Sequence, residues 1–433
     1  MISVRALVAT FSLLFVLGGS EATALCGDLS GDGYIRSLDA LLTLKTAVAS
    51  GYDPLGDAHP VNGDGSLSTA DALLVLRAAV GIELPPCAAA TSRRVVVSTA
   101  SCNFDVGGIA EIDTLALTVT RHLPAILSPD SVLRVQRGRL FALNRFAANS
   151  VQELDVASSL ATLKQCSVGQ GNPHDIVLVS DTLGYVTRYD SSSLAVIDPS
   201  VDGDCEGFVT GSIDLSAWAD ADGFPEMDQM LLLGQRLFVV LQMLDRNDLF
   251  RPAGPSRVVV IDTLTNAVEA VIELATENAF AETKGVVYAP AANRFYVGGP
   301  GRLFSDLSDG GIEVVDPLGL RSEGLIVSGA DLGGDITDFV MLGTARGYAL
   351  VAGDDFDVAL VEFDVDSASV TAVLARSELL FSDIEITEDG RLWLADRNCF
   401  NPGMRVFSVS DNREISTEPI FPGLEPFTEV FLP

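Results

Sequence analysis

One pattern recurs seven times along this chain, and it constrains the fold more than any other feature. The copies are "GIAEIDT" at 108, "VQELDV" at 151, "LAVIDP" at 194, "VVVIDT" at 258, "IEVVDP" at 312, "LVEFDV" at 360 and "MRVFSV" at 404. Each alternates apolar and variable residues, as a half-buried strand does, and then reaches Asp, or Ser408 in the last copy, before a turn. The copies stand 43 to 64 residues apart, which suits a four-stranded propeller blade with loops of variable length. A second strand-like run precedes every copy: "RRVVVST", "GRLFALN", "LGYVTRY", "QRLFVVL", "NRFYVGG", "RGYALVA" and "GRLWLAD".

From the second copy onward a third run comes before these, as in "PHDIVLVSD" and "TDFVMLG", and would form the innermost strand of its blade. The first copy has none, whereas the last nine residues, "EPFTEVFLP", form a strand-like run with no blade to follow. The missing strand and the surplus one fit each other if the C-terminus completes the first blade. The expectation is a mainly β protein, a seven-bladed β-propeller over residues 93–433, with two packed β-sheets as the weaker alternative. The stretch "LGYVTRYDSSSLAVIDP", residues 183 to 199, resembles the YVTN family of surface-protein propellers, and the other blades resemble it more loosely. That resemblance implies an extracellular or cell-surface setting and no particular activity.

Upstream the chain is of another kind. In "GDLSGDGYIRSLDALLTLKTAV", residues 27 to 48, oxygen donors stand at the spacing of a calcium loop. The side chains of Asp28, Ser30, Asp32 and Asp39 and the backbone of Tyr34 fill positions 1, 3, 5, 12 and 7, with Gly33 at the sharp turn. The segment "VNGDGSLSTADALLVLRAAV" repeats both loop and helix and offers Asn62, Asp64, Ser66 through its backbone, Ser68 and Asp71. Its first position is Pro60, which has no side-chain oxygen, so the second Ca²⁺ site should be the weaker. A duplicated loop-helix with Asp at the twelfth position resembles the type I dockerin module, here over residues 26–87. The resemblance implies two antiparallel helices ordered by Ca²⁺ that dock on a cohesin-type or other cell-surface protein. Contacts would fall on Ser37, Leu38, Lys45, Thr69, Ala70 and Arg77.

The ends and the charge bound the rest. Arg5, the apolar run Ala6 to Leu17 and the small-residue site Ala22-Thr23-Ala24 read as a bacterial signal peptide over 1–24, followed by the module at 25–87 and a linker at 88–92. No later run approaches the roughly 18 apolar residues of a membrane helix, so no membrane insertion is expected. A net charge of −32 opposes binding to nucleic acid or anionic lipid and points to a monomer kept in solution outside the cell. Six cysteines in an exported chain suggest disulfides. Cys26 and Cys87 flank the module, Cys102 and Cys399 fall at matching places in the first and seventh blades, and Cys166 would pair with Cys205 by subtraction. Sequence alone leaves other pairings open.

Signals of catalysis are sparse. The three histidines, His59, His122 and His174, have no ligand spacing among them, and no nucleophile elbow or phosphate loop is present. Aligning the inner strands places Asp175, Asp228, Asp338, Asp383 and Glu429 at corresponding starts, with Ser131 and Lys284 in the other two blades. Such oxygens at one mouth of the central channel suit Ca²⁺ or a cationic group, while the plainer reading is turn solvation in an acidic chain. The long connections "LQMLDRNDLFRPAGPS" and "GGPGRLFSDLSDGG" should rise on the same face and offer Phe250, Arg251 and Phe304 to a protein or glycan. The sequence therefore favours a secreted calcium-binding protein with a dockerin-like tether and a binding propeller. The alternative is a polysaccharide-degrading, lactonase or lyase-type propeller enzyme.

Overall fold

The computed structural model describes residues 94–432 apart from 122–124, 281–284, 291, 354–356, 379–380 and 388. It also describes seven helical positions upstream, Ala40, Leu41, Leu44, Ala72, Leu73, Val75 and Leu76, which fall on the two helices expected after the loops. The signal peptide, the calcium-loop ligands, the expected partner contacts, the Cys26–Cys87 pair, the linker, His59, His122 and Lys284 lie outside the described residues.

Seven antiparallel sheets follow one another along the chain, each a meander from an inner strand outward. Each blade hides apolar side chains on both faces, so its two central strands read as near-continuous Val, Ile, Leu and Phe. Its outer strand keeps the alternation of a solvated edge, as in Ala267–Glu277. Blade 2 runs Ser131–Gln136, Arg139–Asn144, Ser150–Leu154 and Thr162–Ser167. Blades 3 to 6 repeat it from inner strands Pro173–Leu178, Met227–Leu233, Val286–Ala289 and Asp335–Leu342. Blade 7 has three strands beginning with Phe381–Ile386, and only the isolated bridges Met404↔Ile420 and Phe407↔Glu414 stand in for its outer strand.

The first blade closes the ring as the sequence requires. Glu425–Leu432 is its innermost strand and pairs antiparallel with Arg94–Ala100, with Val95 opposite Phe431 and Val96 opposite Val430. Trp393 of blade 7 meets Phe431 edge-on at 6.1 Å and packs with Val95, Val97 and Ile112 of blade 1. Among the described residues the core consists of seven apolar clusters, each lying between two neighbouring blades. Stability therefore rests on contacts between blades as much as within them. Two of the three expected disulfides fall among the described residues, and both are present: Cys102–Cys399, Cα atoms 5.9 Å apart, joins blades 1 and 7, and Cys166–Cys205, 5.4 Å apart, joins blades 2 and 3. No described helix is long and apolar enough to cross a membrane.

Candidate functional site

The meander sends every connection between second and third strands to the face where the inner strands begin. The five acids expected at the channel mouth are all on that side, but burial decides what they do. Each is at most 4% exposed, and in blades 3, 6 and 7 a bulge of the inner strand turns Asp175, Asp338 and Asp383 toward the next blade. Asp175 accepts the Met230 amide of blade 4 at 2.7 Å, its own-strand Ile176 amide at 2.9 Å, and Arg134 Nε of blade 2 at 2.7 Å. Asp338 accepts the Ile384 amide of blade 7 at 2.9 Å, and Asp383 accepts the Glu429 amide of blade 1 at 2.7 Å. Thr428 does the same work from blade 1 to blade 2, its hydroxyl accepting the Leu133 amide at 3.1 Å. Three of the five acids are thus bridges between blades.

The expected convergence of oxygens on one cation is not what this geometry provides. Among the described residues, the three-residue groups whose ligand atoms lie within 4.8 Å of one another are Cys102–Cys399–Glu425 and Asp220–Asp222–Asp245. The first has its sulfurs joined to each other, and neither contains any of the five. Ser131 is likewise spent inside its blade, donating to the Ser128 carbonyl and the Asn144 side chain at 2.7 Å. Glu429 differs from the bridges: it is 2% exposed and none of the described donors serves its carboxyl oxygens. Burial, and then the neighbouring Asp383, Glu385 and Asp338 carboxylates, raise its pKa well above the usual glutamate range. Burial and Asp383 do the same to Asp338.

Asp228 is engaged differently again, and it brings in a histidine for which spacing alone suggested no partner. In "GNPHDI", Pro173 opens the inner strand of blade 3 and His174 falls in its bulge, one residue before Asp175. His174 Nδ1 lies 3.1 Å from Asp228 Oδ1, and the other Asp228 oxygen accepts Gln242 Nε2 at 2.7 Å. A carboxylate accepts only, so Nδ1 is the ring nitrogen that donates to Asp228 and Nε2 is the one left free of it. The imidazole stacks on Tyr189, ring centres 4.5 Å apart and 12° from parallel, and keeps 11% of its side chain exposed against 2% for Asp228.

The long blade 4 connection rises beside this pair, as its length suggested. It forms a short ribbon, Leu244–Asp245 against Arg251–Pro252, around a single 3-10 turn at Arg246–Asp248. Arg246 Nε meets Glu226 at 2.6 Å, its Nη1 meets Asp190 at 2.6 Å, and its guanidinium lies over Phe224 at 4.4 Å and Tyr189 at 5.3 Å. Glu226 is fully buried, and that burial pushes its carboxyl up to about 7 although Arg246 pulls the other way. Burial, with Glu226 and Asp228 nearby, also raises the Tyr189 hydroxyl. The sequence did hold a signal for the His174–Asp228 pair. His174 and Asp228 hold the same place in the bulges of consecutive blades, each two residues before the strand resumes at Ile176 and Met230.

No family model and no curated protein matches the sequence. The fold does have close likenesses among solved structures. A putative 6-phosphogluconolactonase from Bacteroides fragilis covers 81% of this chain and 100% of its own length, with a TM-score of 0.54 and 12% identity. The periplasmic gluconolactonase of Pseudomonas aeruginosa covers 79% and 99%, at 0.52 and 16% identity. A Lactobacillus plantarum protein covers 79% and 100%, at 0.52 and 13% identity. At these identities the likeness is one of fold, and it spans the whole propeller.

Proposed function

We propose that the propeller hydrolyses a small lactone at the mouth between blades 3 and 4, with His174 as general base. The observation that carries this reading is the 3.1 Å contact between His174 Nδ1 and the buried Asp228 carboxylate, itself held by Gln242. Such a carboxylate fixes tautomer and ring orientation and favours the imidazolium that forms during proton transfer. His174 Nε2 takes a proton from water as its oxygen adds to the lactone carbonyl. Collapse of the adduct breaks the ring ester bond, and the imidazolium returns the proton to the departing alkoxide, giving an open hydroxy acid. Of the solved propellers of like fold, one is named a periplasmic gluconolactonase and another a putative 6-phosphogluconolactonase, which makes a sugar lactone the first substrate to test. The two disulfides suit an oxidising compartment outside the cytoplasm, in keeping with the YVTN-type resemblance.

The test is hydrolysis of glucono-δ-lactone, corrected for its spontaneous opening. His174→Gln and Asp228→Asn should each lower kcat by about 10²-fold or more, the usual scale of a general base. A wild-type rate equal to the spontaneous one, or an unimpaired His174→Gln variant, would overturn the assignment. The dockerin-like segment adds a tether to this reading: a Ca²⁺-ordered module for a cohesin-type or other surface partner. Its support is the duplicated loop-helix sequence, and Ca²⁺ titration of residues 25–88 with a helicity readout tests it.

A further inference from the structure

The face that holds His174 also carries a set of phenylalanines that the hydrolytic reading does not use. The connections between second and third strands in blades 1, 2, 4, 5 and 7 each present one: Phe104, Phe146, Phe250, Phe304 and Phe400, exposed by 46, 73, 48, 44 and 99%. Three of them, Phe104, Phe250 and Phe304, have φ of +55°, +56° and +58°, in the left-handed region that a bulky L residue rarely adopts. These are not frayed tips. The Phe104 amide donates to the Ser101 carbonyl at 2.7 Å, that of Phe250 to the Asp245 carbonyl at 2.9 Å, and that of Phe304 to Asp335 Oδ2 at 2.6 Å. The same residue type is pinned at corresponding loops of three blades and stays about half exposed in each, even where the ring also meets a neighbour, as Phe104 meets Phe427 edge-on at 6.0 Å. Strain of this kind persists where a surface is held ready for a partner.

Charge narrows the partner. The five loops, 101–106, 145–149, 242–254, 300–310 and 397–402, contain five arginines and five aspartates, in a chain whose net charge is −32. Arginines stand against the rings, with Arg397 4.4 Å over Phe104 and Arg246 5.6 Å over Phe250. A basic protein would be drawn to the acidic remainder of the surface, and a second copy would bring a charge of −32 against −32. Separate aromatic rings set among balanced polar groups match a chain of pyranoses, whose C–H faces stack on rings while their hydroxyls meet polar side chains.

We infer that this face is a binding platform for an uncharged polysaccharide, with the loop phenylalanines as its contacts. The platform does not depend on chemistry at His174. Affinity electrophoresis of the full chain through gels holding hydroxyethylcellulose, starch or polygalacturonate tests it, with glucono-δ-lactone hydrolysis measured in parallel. Retardation by a neutral polymer should fall at least tenfold in the Phe146→Ala/Phe400→Ala variant, with any lactone hydrolysis unchanged. Phe304→Gly offers an independent reading, because glycine accepts a positive φ: retardation should weaken while Tm holds or rises, whereas a structural role would lower Tm. Retardation by neither neutral polymer, retardation by polygalacturonate alone, or a concentration-dependent dimer lost in Phe146→Ala/Phe400→Ala would each overturn the proposal.

Discussion

Glu429 shows how one buried side chain ties the ring to pH. Its carboxyl sits 2% exposed at the seam, served by none of the described donors, beside Asp383 and Glu385 of blade 7 and Asp338 of blade 6. The charges on the other strands against it are satisfied elsewhere, Arg134 by Asp175 and Arg94 by Glu111. A carboxyl whose folded pKa lies above its unfolded value binds its proton more tightly in the native state. Its contribution to stability is therefore full below the unfolded pKa of about 4.3 and is lost as pH rises through the raised folded pKa. Glu429→Gln removes that loss. The stability gain over wild type should be small at pH 4 and reach about 1–2 kcal/mol by pH 8, where an unpaired buried charge is most costly. Denaturant melts of both proteins across that range check it, and a gain that shrinks with rising pH would refute the assignment.

At the scale of strands, blade interfaces are set by where side chains are absent as well as where they are present. Gly298 lies in the second strand of blade 5, and a Cβ there would come within 2.7 Å of the Phe339 ring on the inner strand of blade 6. Phe339 is 1% exposed and packs among Ile336, Tyr296 and Val351, so it has little room to turn away. Gly298→Ala should cost about 1–3 kcal/mol, the range for overpacking a filled core. A thermal melt indistinguishable from wild type would show that the blades can part without cost. The bulges teach a related lesson. The alignment of Asp175, Asp338 and Asp383 was readable as equivalent strand starts. Their direction was not, because one extra residue in a bulge turns a carboxylate from the channel to the amide of the next blade.

For the whole molecule, the seam between blades 7 and 1 decides whether a ring exists. The chain ends meet there through a strand pairing between Arg94–Ala100 and Glu425–Leu432, through Trp393 against Phe431, and through Cys102–Cys399, which spans 297 residues of sequence. Deleting residues 425–433 would strip blade 1 of its inner strand and expose its edge, so aggregation or loss of cooperative unfolding is expected. A truncated protein that stays soluble, monomeric and equally heat-resistant would count against closure by this strand. Cys102→Ser is the milder probe. It should lower stability by about 2–4 kcal/mol, as loss of a long-range crosslink does, and leave the transition cooperative.

The seven blades, their closure by the C-terminus and the pairing of Cys102 with Cys399 were legible in the sequence. Alternating apolar runs, turn residues and a strand without a partner are local or countable features, and backbone pairing rules leave few ways to satisfy them. The His174–Asp228 pair, the sharing of bulge carboxylates between blades and the solitude of Glu429 belonged to the tertiary structure. Each depends on which way a side chain leaves a bulge and on what the adjacent blade, 46 to 55 residues away, presents to it. The sequence places such residues in the same layer. Only packing between blades gives them partners, and in a low-dielectric interface the presence or absence of a partner sets what a carboxyl or an imidazole can do.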